Sequence, residues 1–190
     1  SNPKLTKQFG DDQMPQTADN LAREYSITRE QADTFAAASQ QKYALAKGEG
    51  FFAGEISPVE MPATRKGPVP PVGEDEHPRP GSDLGTLAKM KALYEGGVTT
   101  AGNASGVNDG AVALVVGSLA AGEKAGVKPM ARVIASAAMG VPPHIMGIGP
   151  VAASKKALAR VGLSIKDMDI IEINEAFATQ VLACLKGLGV

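Results

Sequence analysis

A chain of 190 residues, 44% hydrophobic and 21% charged, can build one large or two small domains around a real core, which excludes wholesale disorder. Its formal net charge of -1 gives no electrostatic reason to expect nucleic acid or a membrane surface as partner. The 22 glycines exceed the usual share of about 7%, so tight turns and close backbone approaches are expected, and the single Cys184 excludes an internal disulfide framework.

No secretory signal opens the chain, and the apolar run Ala111 to Val116 is far too short to span a bilayer; a cytoplasmic location is expected, with an organelle as the alternative. After a polar, turn-rich entry at Gly10 to Gln16, the spacing of Leu21, Ala22 and Tyr25 predicts a helix over Thr17 to Ser26. Thr28 with Gln31 forms a capping box ahead of an alanine-rich helix that ends near Lys47-Gly48. Ile56, Val59 and Met61 alternate loosely and predict a strand at Gly54 to Pro62, weakened by Pro58. Ala63 to Gly81 is a long loop of the kind that is functional or disordered, and Leu84 to Leu93 offers one or two helical turns.

Gly96 to Gly110 is the densest cluster of small and turn-forming residues. It lacks the Gly-Lys-Ser/Thr end of a P-loop and the spacing of a dinucleotide fingerprint. Two readings stand: a ligand laid against the backbone beside Asn103, Ser105 and Asn108, or close packing between two elements. Ala111 to Val116 reads as a buried strand or helix end, Leu119 to Gly126 as a helix with a glycine stop, and Ala131 to Gly140 as a strand. Pro150 opens a helix through Arg160. Met168 to Ile173 suits a strand buried on both faces, Asn174-Glu175 interrupts it, and Ala176 to Leu188 resumes as helix. Strand, helix, strand, helix implies a layered α/β fold with parallel crossovers. In such folds ligands bind at the carboxyl ends of strands, which makes Asn174 and Glu175 functional candidates; the alternative for Asn174 is the cap of the following helix.

Other reactive groups read as structural. Cys184 shares core spacing with Phe177, Val181 and Leu188, so it is expected to be a packed thiol. His77 and His144 have no partners at metal-ligand spacing, so no metal is expected, and Glu74 to Glu76 form a solvated charge run. No complete catalytic constellation is visible.

Three motifs carry a family resemblance. Asn174-Glu175-Ala176-Phe177-Ala178, the loop Thr100 to Gly110, and Met146-Gly147-Ile148-Gly149-Pro150, in this order and spacing and with the helical lead-in Met14 to Gln41, resemble the thiolase family over essentially the whole chain. Thiolases move acyl groups between coenzyme A and an active-site cysteine, making or cleaving 3-ketoacyl-CoA. The resemblance implies that Asn174 orders the water which, with a histidine, forms an oxyanion hole for the thioester carbonyl, a contribution typically worth about 3 kcal/mol of barrier. It implies that Ser105 and Ala101 line the pantetheine tunnel, that Arg79 lies against the CoA adenine with Thr86 near the nucleotide, and that Met14 and Met146 border the acyl pocket. Coenzyme A is then a co-substrate, with no covalently bound cofactor, and the intact enzyme is expected as a homodimer or homotetramer.

The nucleophilic cysteine, the Gly-His-Pro histidine and the second cysteine of the family have no counterpart here, and Cys184 matches neither cysteine. The chain therefore resembles an internal piece: a loop (lid) domain at 1–106, the end of the first core half at 107–140, and the start of the second at 141–190. In isolation it is expected to be inactive and to expose surfaces that pack on the rest of the core. The alternative is a stand-alone CoA or acyl-CoA binding or interaction module without turnover. Asp75 to Pro80, Gly50-Phe51-Phe52 and Ile171 to Asn174 look most like thiolases of aromatic-compound breakdown that handle 3-oxoadipyl-CoA. Gln13 stands where short-chain biosynthetic relatives carry a histidine, which points to degradation.

Overall fold

The computed structural model describes residues 2–190, and Ser1 lies outside them. Helices α1 (Pro3–Phe9), α2 (Met14–Glu24) and α3 (Arg29–Gly48) open the chain, with α4 (Leu84–Ala88), α5 (Leu119–Ala125), α6 (Gly149–Ala159) and α7 (Ala178–Leu188) following. Short 3-10 turns lie at Phe51–Gly54, Pro143–Ile148 and Ile165–Asp167.

The helix ends follow their sequence signals. Thr28 Oγ1 accepts from the Gln31 N–H at 3.2 Å while Gln31 Oε1 accepts from the Thr28 N–H at 2.9 Å, the reciprocal capping box of α3. Gly126 ends α5 in the left-handed region, φ 67°, where only glycine sits without strain. The helix expected from Thr17 begins a turn earlier, at Met14, because Pro15 suits a first helical turn and Gln16 Oε1 accepts from the Gln13 N–H.

Helices α2 and α7 face each other across the Pro143–Ile148 turn. Their core comprises Leu21, Ala22, Ile27, Ile145, Ile148, Ala183 and Cys184, with Val151 and Ile173 packed against it. A smaller cluster joins Ala36 and Ala37 of α3 to Leu87 of α4. Gly147 lets α2 and α7 approach the turn: a Cβ there would lie 2.6 Å from Gln180 Cγ and 2.9 Å from Leu21 Cδ1.

No strand forms among the described residues, which corrects the expected strands at Gly54 to Pro62, Ala131 to Gly140 and Met168 to Ile173, and the strand reading of Ala111 to Val116. An extended segment is a strand only when a neighbour satisfies its backbone groups, and these segments have no ladder partner among the described residues. Their apolar side chains stay exposed, with Val112 at 87% and Ile170 at 78% of full exposure. The first segment is reduced to a single antiparallel bridge between Val59 and Val72, and Thr64 and Gly67 pair within the loop beyond it. The layered α/β expectation is thus replaced, for these residues, by packed helices joined by long extended connections.

A buried polar network fastens the glycine-rich loop to α2 and α3. Asp19 Oδ1 accepts from the N–H groups of Val98 and Thr99 at 3.0 and 2.9 Å and from the Thr99 hydroxyl at 2.7 Å. Asp33 accepts from Arg29 Nε at 2.7 Å and from Asn103 Nδ2 at 2.9 Å, while Asn103 Oδ1 accepts from the Thr100 N–H at 2.8 Å. The other end of Arg29 donates to the carbonyls of Leu87 and Met90 at 2.6 and 2.8 Å. The ligand-contact reading of Asn103 is therefore corrected: its amide is buried and committed to protein partners. Asp33→Ala leaves the Asn103 amide and the partly buried Arg29 without their carboxylate, so it should cost about 3 kcal/mol in urea unfolding of the chain. A loss below about 1 kcal/mol would place Asp33 among ordinary surface ion pairs.

Candidate functional site

The α2, α7 and Pro143–Ile148 elements leave between them a cavity of about 240 Å³. Helix α2 presents Met14, Thr17, Ala18 and Leu21 to it, the turn presents Met146 and Gly147, and α7 presents Gln180. Asn174, Ala176 and Phe177, from the segment that leads into α7, complete the wall. Most of this lining is apolar, and Asn174 and Gln180 each bring a carboxamide to it. Asn174 also borders a second hollow of about 220 Å³ that includes Ser154, Ile171 and Glu172.

Asn174 does not cap α7. The N-cap is Phe177, with extended backbone at φ -144° and ψ 138°, and no side chain caps the helix there. The tip around Asn174 is fastened from outside instead. The Ser105 N–H donates to the Ala176 carbonyl at 2.9 Å, the Ala178 N–H to the Asn103 carbonyl at 2.9 Å, and Ala104 pairs antiparallel with Phe177. Ser39 Oγ of α3 donates to Glu175 Oε2 at 2.5 Å.

Of the residues singled out from sequence, the structure brings Met14, Met146 and Asn174 to one cavity. Arg79, Thr86, Ala101 and Ser105 lie outside its lining and are exposed. Arg79 organises its own loop: its guanidinium donates to the carbonyls of Glu76, His77 and Pro78, and its N–H donates to Gln40 Oε1 at 2.8 Å. Thr86 sits in the first turn of α4, where its N–H donates to Asp83 Oδ1 at 2.7 Å; hydrogen bonds from Thr86 hold the Asp83 carboxyl below its ordinary pKa. Glycines in the loop approach their neighbours closely, since a Cβ at Gly102 would lie 2.5 Å from Leu87 Cδ2 and one at Gly106 2.5 Å from His77 Nδ1. The close-packing reading thus holds at these two positions.

Cys184 is fully buried. Its thiol reaches the Gly147 carbonyl at 3.3 Å, Gln180 Nε2 lies 3.5 Å from the sulfur, and burial pushes the thiol pKa above its ordinary value. No cluster of His, Cys, Asp and Glu that could hold a metal occurs among the described residues. No helix among them is long and apolar enough to cross a membrane.

Sequence reasoning missed Thr17, Ala18, Leu21 and Gln180 as cavity residues. For α2 a signal existed: Met14, Thr17, Ala18 and Leu21 follow the i, i+3, i+4, i+7 stripe of one helix face. Gln180 carried no such signal, because the surrounding α7 positions are buried almost all round.

Comparison with known proteins places this geometry. The family model of the thiolase N-terminal domain matches residues 1–120, and that of the thiolase C-terminal domain matches residues 127–190. A β-ketoadipyl-CoA thiolase of Pseudomonas aeruginosa is 54% identical over 190 residues, covering all of this chain and 47% of that protein. A 3-oxoadipyl-CoA/3-oxo-5,6-dehydrosuberyl-CoA thiolase of Escherichia coli is 50% identical over 189 residues, covering 99% of this chain and 47% of that protein. The crystal structure of the Bacillus anthracis acetyl-CoA acetyltransferase superposes with a TM-score of 0.88 at 42% identity, over 93% of this chain and 45% of that one. That of human mitochondrial 3-ketoacyl-CoA thiolase in complex with CoA gives 0.87 at 42% identity, over 98% and 46%. The chain spans about half the length of the curated relatives it matches. With the two domain models together matching nearly all of its residues and the fold shared with these enzymes, the chain belongs to the thiolase family.

Proposed function

We propose that the protein carrying this chain is a degradative thiolase, transferring an acyl group between coenzyme A and an enzyme cysteine as it cleaves a 3-ketoacyl-CoA. The observation that carries the reading is the meeting of Asn174 with Met14 and Met146 at one largely apolar cavity. Such a wall suits an acyl chain, and a carboxamide at its edge suits a water held against the thioester oxygen, where negative charge develops during attack. The names of the Pseudomonas and Escherichia relatives support 3-oxoadipyl-CoA as the substrate class. A human relative crystallised with CoA supports CoA as a ligand, and on this reading Arg79, Thr86, Ala101 and Ser105 face it. Arg79 suits the adenine, because a guanidinium already oriented by its loop carbonyls can stack without much further loss of freedom.

Cys184 is not the nucleophile on this reading. A nucleophilic cysteine needs a lowered pKa and access, whereas this thiol is buried and its pKa is raised. As it is the single cysteine of the sequence, the nucleophile belongs to a part of the protein outside residues 1–190, and these residues alone should not turn over. The same remainder would pair the extended segments at 111–116, 131–140 and 168–173 and cover their exposed apolar side chains. Residues 1–106 then form the lid, with 107–140 and 141–190 contributing to the two core halves of a homo-oligomeric enzyme.

In the intact protein, Asn174→Ala should lower kcat by about a hundredfold or more with CoA affinity by calorimetry nearly unchanged; unaltered turnover would remove Asn174 from the mechanism. Arg79→Ala should raise the Kd for CoA while sparing kcat at saturation, and a defect confined to kcat would contradict its assignment. Iodoacetamide at pH 8 should leave Cys184 unmodified in the native chain and label it fully in urea, whereas rapid native labelling, or an acyl thioester on Cys184, would overturn its structural role.

A further inference from the structure

The Asn174 carboxamide has to be held to within about 0.5 Å to act on a developing charge, yet its backbone belongs to no helix or strand. The two backbone ties from the glycine-rich loop act at Ala176 and Ala178. The tie nearest to Asn174 in sequence is a side-chain bond: Ser39 Oγ donates to Glu175 Oε2 at 2.5 Å. A hydroxyl given to a carboxylate is a charge-assisted bond, about twice as strong as a neutral one. Ser39 is a firm anchor, because it lies mid-way along α3, which the Arg29–Asp33–Asn103 network and the Leu87 cluster fix in place.

We infer that Glu175 is a positioning residue for the Asn174 carboxamide, and that Ser39 of α3 is the group that holds it. The inference rests on the thiolase reading, since it needs Asn174 to act in turnover. With Glu175 drawn onto α3, the neighbouring Asn174 is left against the cavity; without that bond the segment from Ile173 to Glu175 can rotate, and the amide loses its aim while the CoA-facing residues stay put.

The test uses the intact protein, with CoA affinity and thermal midpoint measured beside kcat. Ser39→Ala and Glu175→Ala should each lower kcat about tenfold with the Kd for CoA unchanged, and the double variant should fall no further than the worse single one. Ser39→Thr, which keeps the hydroxyl, and Glu175→Gln, which keeps an acceptor oxygen, should each retain kcat within about threefold of the parent. In an Asn174→Ala background, Ser39→Ala should have no added effect on kcat. A merely structural bond would lower the thermal midpoint and act equally in both backgrounds, and that result overturns the inference. Parental kcat in Ser39→Ala overturns it as well, and leaves the thiolase reading standing if the parent cleaves 3-ketoacyl-CoA. An intact parent without thiolysis overturns both.

Discussion

Everything near the cavity depends on how Asp33 and Asn103 satisfy each other. Asn103 is buried on the glycine-rich loop, and its amide takes the Thr100 N–H, the Val98 carbonyl and the Asp33 carboxylate. With the side chain so committed, its backbone carbonyl is fixed in space and accepts the Ala178 N–H, the first residue of α7. The start of α7 is thus set from a distant upstream loop rather than by a local cap, and the tip bearing Asn174 inherits that placement. Breaking the Asp33 bond would loosen the loop and the site together. A half-satisfied buried network is worse than an apolar one.

Asp19 makes the parallel contact from α2. Its Oδ1 collects three donors from Val98 and Thr99, whereas Oδ2 is buried and lacks a protein partner. The loop approaches it so closely that a Cβ at Gly97 would stand 2.2 Å from Oδ2. The effect is geometric. Helix α2 lines the cavity with Met14, Thr17 and Leu21, and Asp19, on the same helix, grips the loop that carries Ala101 and Ser105.

What the sequence made legible was whatever local chemistry determines. The Thr28–Gln31 box, the glycine stop at Gly126, the proline-started α6 and the buried Cys184 all depend on residues within one or two helical turns. The strands were not legible as strands, because Met168 to Ile173 has the right side chains but a strand also needs a neighbour. Asp33 was hidden for a related reason. A carboxylate among alanines reads as the solvent face of a helix, and only the fold reveals a partner at Asn103. Asn174 was half legible: its place after an apolar run made it a candidate and it does line the cavity, but the N-cap position went to Phe177, whose extended backbone starts α7 without a side-chain cap.

On the proposed reading, catalysis demands that the CoA end and the acyl end of the substrate be held in fixed relation, since misplacement by even an ångström is expensive in rate. The chain meets that demand with one short segment. Residues 103–105 contribute the Asn103 carbonyl to α7, the Ala104 bridge to Phe177 and the Ser105 N–H to Ala176, so the loop assigned to pantetheine and the tip assigned to the thioester oxygen are hydrogen-bonded neighbours. Helix α3 closes the same circuit from the other side, through Asp33 to the loop and through Ser39 to the tip. A displacement of either ligand-facing part must therefore strain α3, which its capping box and the Arg29 bonds to Leu87 and Met90 resist. The polar bonds around this site thus converge on one helix, which the Ala36–Ala37–Leu87 cluster packs against α4.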